Sequence, residues 1–151
     1  MPFVSVRDIR MYYEIRGNGP RLLFISGTGG DLRRSPNAFD SPLPQHFAVL
    51  GYDQRGLGQT DRPDIPYTMA DYAQDATALL DAVGWERCAV IGISFGGMVA
   101  QELAVRYPHT SEAMAVRNVL APAGLLVRVD PQHGLADKLV RQGRVPRVYA
   151  A

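Results

Sequence analysis

The chain of 151 residues carries 16 basic and 15 acidic side chains, for a net charge of +1, and 46% of it is hydrophobic. That is enough for one globular domain with a real core, and it excludes a disordered chain. Near-neutral charge gives no electrostatic reason to expect nucleic acid or an anionic membrane as partner, no apolar run reaches membrane-spanning length, and a single cysteine, Cys88, excludes an internal disulfide.

The start, Met1-Pro2-Phe3-Val4-Ser5, lacks the basic and apolar regions of a secretion signal, so a soluble, reducing, cytoplasmic setting is expected. Phe3 to Val6 and Ile9 to Arg16 read as two strands joined by a tight turn at Arg7-Asp8, with Tyr12, Tyr13 and Ile15 as good sheet residues. After the Gly17-Asn18-Gly19-Pro20 loop, Leu22-Leu23-Phe24-Ile25 is a continuous apolar run, the pattern of a strand buried on both faces. Ser26-Gly27-Thr28-Gly29-Gly30 follows as a compact loop with accessible amides. Asp31 to Ser41 is polar and irregular, with a short helix expected at Pro36 to Phe39. Phe47 to Tyr52 is another strand, ending in Asp53-Gln54-Arg55-Gly56-Leu57-Gly58. There Asp53 and Arg55 could catalyse or bind substrate, but they read first as a structural ion pair that holds the loop.

Thr68 to Val83 is the clearest helix. Thr68 and Asp71 resemble a capping box, and Met69, Tyr72, Ala73, Ala76, Leu79, Leu80 and Val83 fall on one face. Asp71 and Asp75 suit its N-terminal half, and Gly84 sits where helices stop. Cys88 to Ile91 reads as a buried strand and leads into Gly92-Ile93-Ser94-Phe95-Gly96-Gly97. Gly96, Ala100 and Ala104 then make a small-residue stripe, and Tyr107-Pro108 ends the second helix.

Gly-x-Ser-x-Gly between a strand and a helix is the pattern of a nucleophile elbow. The turn holds Ser94 in a strained backbone conformation, and Gly92 and Gly96 are needed because side chains would collide as strand and helix close. The Phe95 amide, at the helix N-terminus, is placed to stabilise an oxyanion. The loop Ser26 to Gly30 lacks the lysine and the spacing of phosphate-binding loops, so it reads as an oxyanion loop with Thr28 as the expected donor. Alternating strands and helices in this order predict an α/β fold, a mostly parallel sheet with helices on both faces.

On these motifs, residues 1–108 resemble the α/β-hydrolase fold superfamily and are similar to small ester and lactone hydrolases such as the 3-oxoadipate enol-lactonases. Cofactor-free haloperoxidases look alike too. The resemblance implies acyl transfer from a small ester or lactone with Ser94 as nucleophile, and neither cofactor nor metal. Where many members have His-Gly after the third strand, this chain has Ser26-Gly27.

The expected triad order is Ser, acid, His. His109 follows Pro108 at the far end of the helix, and His46 lies upstream of Ser94. His133 is the histidine with room to fold back, and Asp130 lies three residues from it. As base and acid they make a makeshift pair, and a solvated loop histidine is the plainer reading. Residues 109–151 read as an atypical segment rather than a separate domain, with one strand at 113–116 or 119–120, a short helix around Leu135 to Val140, and a basic end. The expectation is therefore a partial α/β-hydrolase fold, truncated and poorly active. Its Cys88 strand would form an open edge that attracts a second copy unless residues 113–120 cover it. A non-catalytic fragment or binding module is the competing reading, and the missing phosphate motif disfavours a nucleotide-binding domain.

Overall fold

Two residues, Arg7 and Asp8, separate the first two strands, a spacing that selects a hairpin. β1 (Phe3–Val6) pairs antiparallel with β2 (Ile9–Arg16), Val6 opposite Ile9, and Arg7 closes the turn at a φ of 52°. The computed structural model describes residues 2–117 and 125–127. Next along the chain come β3 (Arg21–Ile25), the 3-10 helices η1 (Ala38–Asp40) and η2 (Leu43–Gln45), and β4 (Ala48–Tyr52). They are followed by α1 (Met69–Ala82), β5 (Cys88–Ile93), α2 (Phe95–Arg106), β6 (Ser111–Arg117) and β7 (Leu125–Val127).

Among the described residues the strands form one sheet in the order β1-β2-β4-β3-β5-β6-β7. The central four, β4, β3, β5 and β6, run parallel, and the outer strands join antiparallel. The sheet is thus mostly parallel, as the alternation of elements predicts. Both described α-helices lie on one face, where Leu23, Ile25, Leu50 and Val90 of the sheet join Ala76, Leu79, Val99 and Leu103 in the main core. The opposite face is covered by η1 and η2, whose Ala38 and Leu43 pack with Leu22 and Val49 of the sheet. Among the described residues helices therefore cover both faces, but those on the second are single 3-10 turns.

The ends of α1 follow from local chemistry. Thr68 accepts from the Asp71 amide while the Asp71 carboxylate accepts from the Thr68 amide, closing the expected capping box. At the other end Gly84 takes a φ of 72°, its amide donating to Asp81 O while the Trp85 amide donates to Leu80 O. This paired closure requires a left-handed residue, which glycine supplies without strain.

The structure adjusts several expectations. β5 runs through Gly92 to Ile93 rather than ending at Ile91, because the ladder continues on both sides, pairing Ile25 with Gly92 and Ile93 with Arg117. The short helix expected at Pro36 to Phe39 forms two residues later, as η1, because the Asn37 side chain caps it by accepting the Phe39 amide. η2 and β7, three residues each, have no counterpart in the sequence pattern; they are too short for periodicity to register. Of the two strand placements expected after α2, the one around 113–116 forms, as β6, and its pairing makes β5 an interior strand. The bare Cys88 edge does not arise. The helix expected around Leu135 to Val140 lies outside the described residues.

Candidate active site

A single residue, Ser94, separates β5 from α2. Its φ of 54° and ψ of −118° fall outside the regions that side-chain-bearing residues favour. The glycines around it are obligatory: a Cβ on Gly92 would lie 2.3 Å from Gly96 O, and one on Gly96 would lie 2.1 Å from Ile25 O. The Ser94 carbonyl starts α2, accepting from the amides of Gly97 at 2.9 Å and Met98 at 3.3 Å. Its hydroxyl makes no capping hydrogen bond. The side chain therefore remains available at the positive end of a helix, where developing negative charge is stabilised.

The glycine loop after β3 rests against this turn. A Cβ on Gly27 would meet the Ser94 Cβ at 3.4 Å and Ile93 O at 3.2 Å, so glycine lets the loop approach this closely. The Gly30 amide donates to Gly27 O over 3.1 Å and closes a turn around Thr28 and Gly29. Thr28 is thereby held next to the residue that touches Ser94. The parallel pairing of β3 with β5, Ile25 beside Gly92, is what brings loop and elbow to the same edge of the sheet.

The expected ion pair between Asp53 and Arg55 does not form; each has other partners. Asp53 is buried, and its carboxylate accepts the amides of Leu32 and Gln59, each at 2.8 Å. Burial raises its pKa, against the pull of those two amides. Arg55, 2% exposed, instead binds Asp75 through Nε and Nη2, both at 2.8 Å, and Asp8 through Nη1 at 2.9 Å and Nη2 at 2.5 Å. Asp75 therefore ties α1 to the loop rather than serving the helix end. Nothing in a spacing of two residues makes the side chains meet once the chain turns, so each finds a separate partner across the fold.

A model of the α/β hydrolase fold family matches residues 20–144. The chain belongs to that family. Among its relatives is a putative carbamate hydrolase RutD of Azorhizobium caulinodans, 31% identical over 128 residues, which cover 85% of this chain and 48% of that protein. An enol-lactonase from Burkholderia xenovorans LB400 superposes with a TM-score of 0.68 at 31% identity, covering 75% of this chain and 45% of that one. A hydrolase from Pseudomonas aeruginosa PA01 also gives 0.68, at 34% identity, covering 74% of this chain and 43% of that one. This α/β hydrolase chain thus spans less than half the length of these relatives.

The described histidines of this α/β hydrolase are far from Ser94. His46 ends η2 just before β4, and His109 follows α2 just before β6, so both sit where the parallel strands begin. Ser94 sits where β5 ends, and the six residues of β5 span about 20 Å. Neither histidine reaches the Ser94 hydroxyl. His133 and Asp130 lie outside the described residues. On the second face of the sheet, a cavity of about 630 Å³ runs from Gly27 and Thr28 over Phe24 and Ile91 to Leu43. Among the described residues, no helix is long and apolar enough to cross a membrane and no cluster of His, Cys, Asp or Glu could hold a metal.

Sequence reading misses what Gln54 and Asp75 do. Gln54 is buried beside the glycine loop, its Nε2 donating to Ser26 O at 2.8 Å. The only signal for either residue is its position, within the loop motif or on α1.

Proposed function

We propose that Ser94 is the nucleophile of a serine hydrolase that cleaves a small carboxylic ester or lactone by acyl transfer. The observation that carries this reading is the strained Ser94 turn, with its hydroxyl left out of the helix cap and the glycine loop against it. In the proposed reaction Ser94 Oγ attacks the carbonyl carbon and passes its proton to a base. The amides of Thr28 and Phe95 hold the oxyanion; losing one such donor lowers the rate by a factor of about 100 to 1,000. The C–O bond to the leaving alkoxide then breaks, the base returns the proton, and water releases the acid from the acyl-serine. His133, oriented by Asp130, is the candidate base. A carbamate carbonyl suits the same attack, and the kinship to putative carbamate hydrolases favours it as the second reading.

The test is hydrolysis of a short-chain aryl ester, together with labelling by a serine-directed fluorophosphonate. The 151-residue chain is expected to turn over slowly, because Asp130 and His133 make only a makeshift acid and base for the serine, and Ser94→Ala should remove whatever turnover and labelling there is. Turnover that survives Ser94→Ala contradicts the reading. Fast turnover that is lost in His133→Ala would establish His133 as the base.

A further inference from the structure

We infer that Gln54 is a positioning residue for the oxyanion loop: its buried amide holds the Ser26 carbonyl and so orients the peptides leading into Gly27 and Thr28. This rests on the reading of Ser94 and the loop given above. Gln54 is 1% exposed, and its Nε2 donates to Ser26 O over 2.8 Å, although the two residues lie 28 apart in sequence. The same carbonyl packs against the helix that follows Ser94, since a Cβ on Gly96 would stand 2.4 Å from Ser26 O. The other end of the loop is held by the neighbouring residue, where Asp53 accepts the Leu32 amide at 2.8 Å. Two consecutive residues after β4 thus grip the segment from Ser26 to Leu32 at both ends. Arg55, next in line, anchors them to α1 through Asp75.

The glutamine is not explained by packing. Its Oε1 is buried and finds no hydrogen-bond partner among the described residues, an arrangement that an apolar residue of similar length would avoid. What such a residue could not do is hold the Ser26 carbonyl. A loop freed to shift by a fraction of an ångström would carry its amide away from the oxyanion, and misplacements of about 1 Å lower rates by about 100-fold.

The experiment removes the need for a base by using Ser94→Cys in the 151-residue chain. Its thiolate attacks p-nitrophenyl acetate, forming the S–C bond and expelling nitrophenolate through an oxyanion; with iodoacetamide the same thiolate displaces iodide and no oxyanion forms. The ratio of the two rates therefore reads the oxyanion hole and cancels thiol ionisation and access. Cys88 is fully buried, so its alkylation reports unfolding. Adding Gln54→Met should lower the ratio at least about tenfold while the iodoacetamide rate stays within about twofold. Tyr67→Phe, which removes a hydrogen bond to Pro63 further along the same loop but leaves Ser26 untouched, should not change it. An unchanged ratio in Gln54→Met, or an equal fall in Tyr67→Phe, overturns the inference. If Gln54→Met does not fold, Gln54→Glu serves. Its carboxylate cannot donate to Ser26 O but its protonated form can, and burial raises its pKa, so the ratio should fall as the pH is raised through that ionisation; a ratio that stays at the parent's value once the infrared carboxylate band shows the group ionised overturns the inference. A ratio in Ser94→Cys alone no higher than that of N-acetylcysteine overturns the nucleophile reading itself, and the inference with it.

Discussion

Asp75→Ala is expected to destabilise the fold by about 3–5 kcal/mol, the usual result of leaving a buried charge without its partner. Asp75 is 1% exposed, and its carboxylate serves two guanidinium groups: Arg55 at both oxygens, and Arg7 Nη1 on Oδ1 at 2.8 Å. Its loss leaves Arg55, itself 2% exposed, with Asp8 alone. Asp8→Ala is the contrast. The Asp8 side chain is 52% exposed, so solvent screens the pair and less than about 1 kcal/mol is expected. Urea denaturation midpoints separate the two, and equal shifts would contradict a network centred on Asp75. Acid should act through Asp8 as well. Its hydrogen bonds with Arg55 hold its pKa at about 2, below the ordinary 3.8. A depressed carboxylate pKa contributes stability that is present above the unfolded-state value and is lost as the pH falls toward about 2. Asp8→Asn should flatten that part of the pH–stability profile.

Gly96→Ala is expected to be as damaging, by more than about 3 kcal/mol, because the new methyl group meets backbone rather than a side chain that could turn away. Its Cβ would lie 2.1 Å from Ile25 O and 2.7 Å from Ile25 C, so β3 and α2 would have to separate. Gly29→Ala provides the calibration. Gly29 has a φ of 74° and nothing within 4 Å of where the methyl group would sit, so only the left-handed backbone resists, at about 1 kcal/mol. Thermal unfolding of both variants checks the ranking. If Gly96→Ala is no worse than Gly29→Ala, the strand and helix are not packed as closely as described.

The legible parts of the chain are those whose signal is local. Leu22-Leu23-Phe24-Ile25 and Phe47 to Tyr52 carry no polar alternation because both faces of a central strand are covered, and they appear as β3 and β4. Thr68, Asp71 and Gly84 mark the ends of α1 through bonds that span only a few residues. Ser94 is recognisable because the glycines at 92 and 96 answer a steric demand built into the motif. The partners of Arg55 and Gln54 are not legible. Asp75 lies 20 residues from Arg55, and Ser26 lies 28 from Gln54, and an arginine or an amide in a loop does not announce which distant group it will meet. The 3-10 turns on the second face are hard to see for another reason: they are held by Asn37 and Ser41 side chains accepting nearby amides, not by a periodic apolar stripe.

That the elbow presents residue 94 to an oxyanion hole is tested most directly by comparing thiols at two positions of the chain. Ser94→Cys places one at the elbow, and Ser5→Cys places the other at an exposed position of β1, an edge strand of the sheet. The quantity measured is the rate with p-nitrophenyl acetate relative to iodoacetamide. An acylation preference about 100-fold higher is expected at position 94, with one equivalent of nitrophenolate released per chain and the acetyl group mapped to that residue. Equal preferences at the two positions would contradict it.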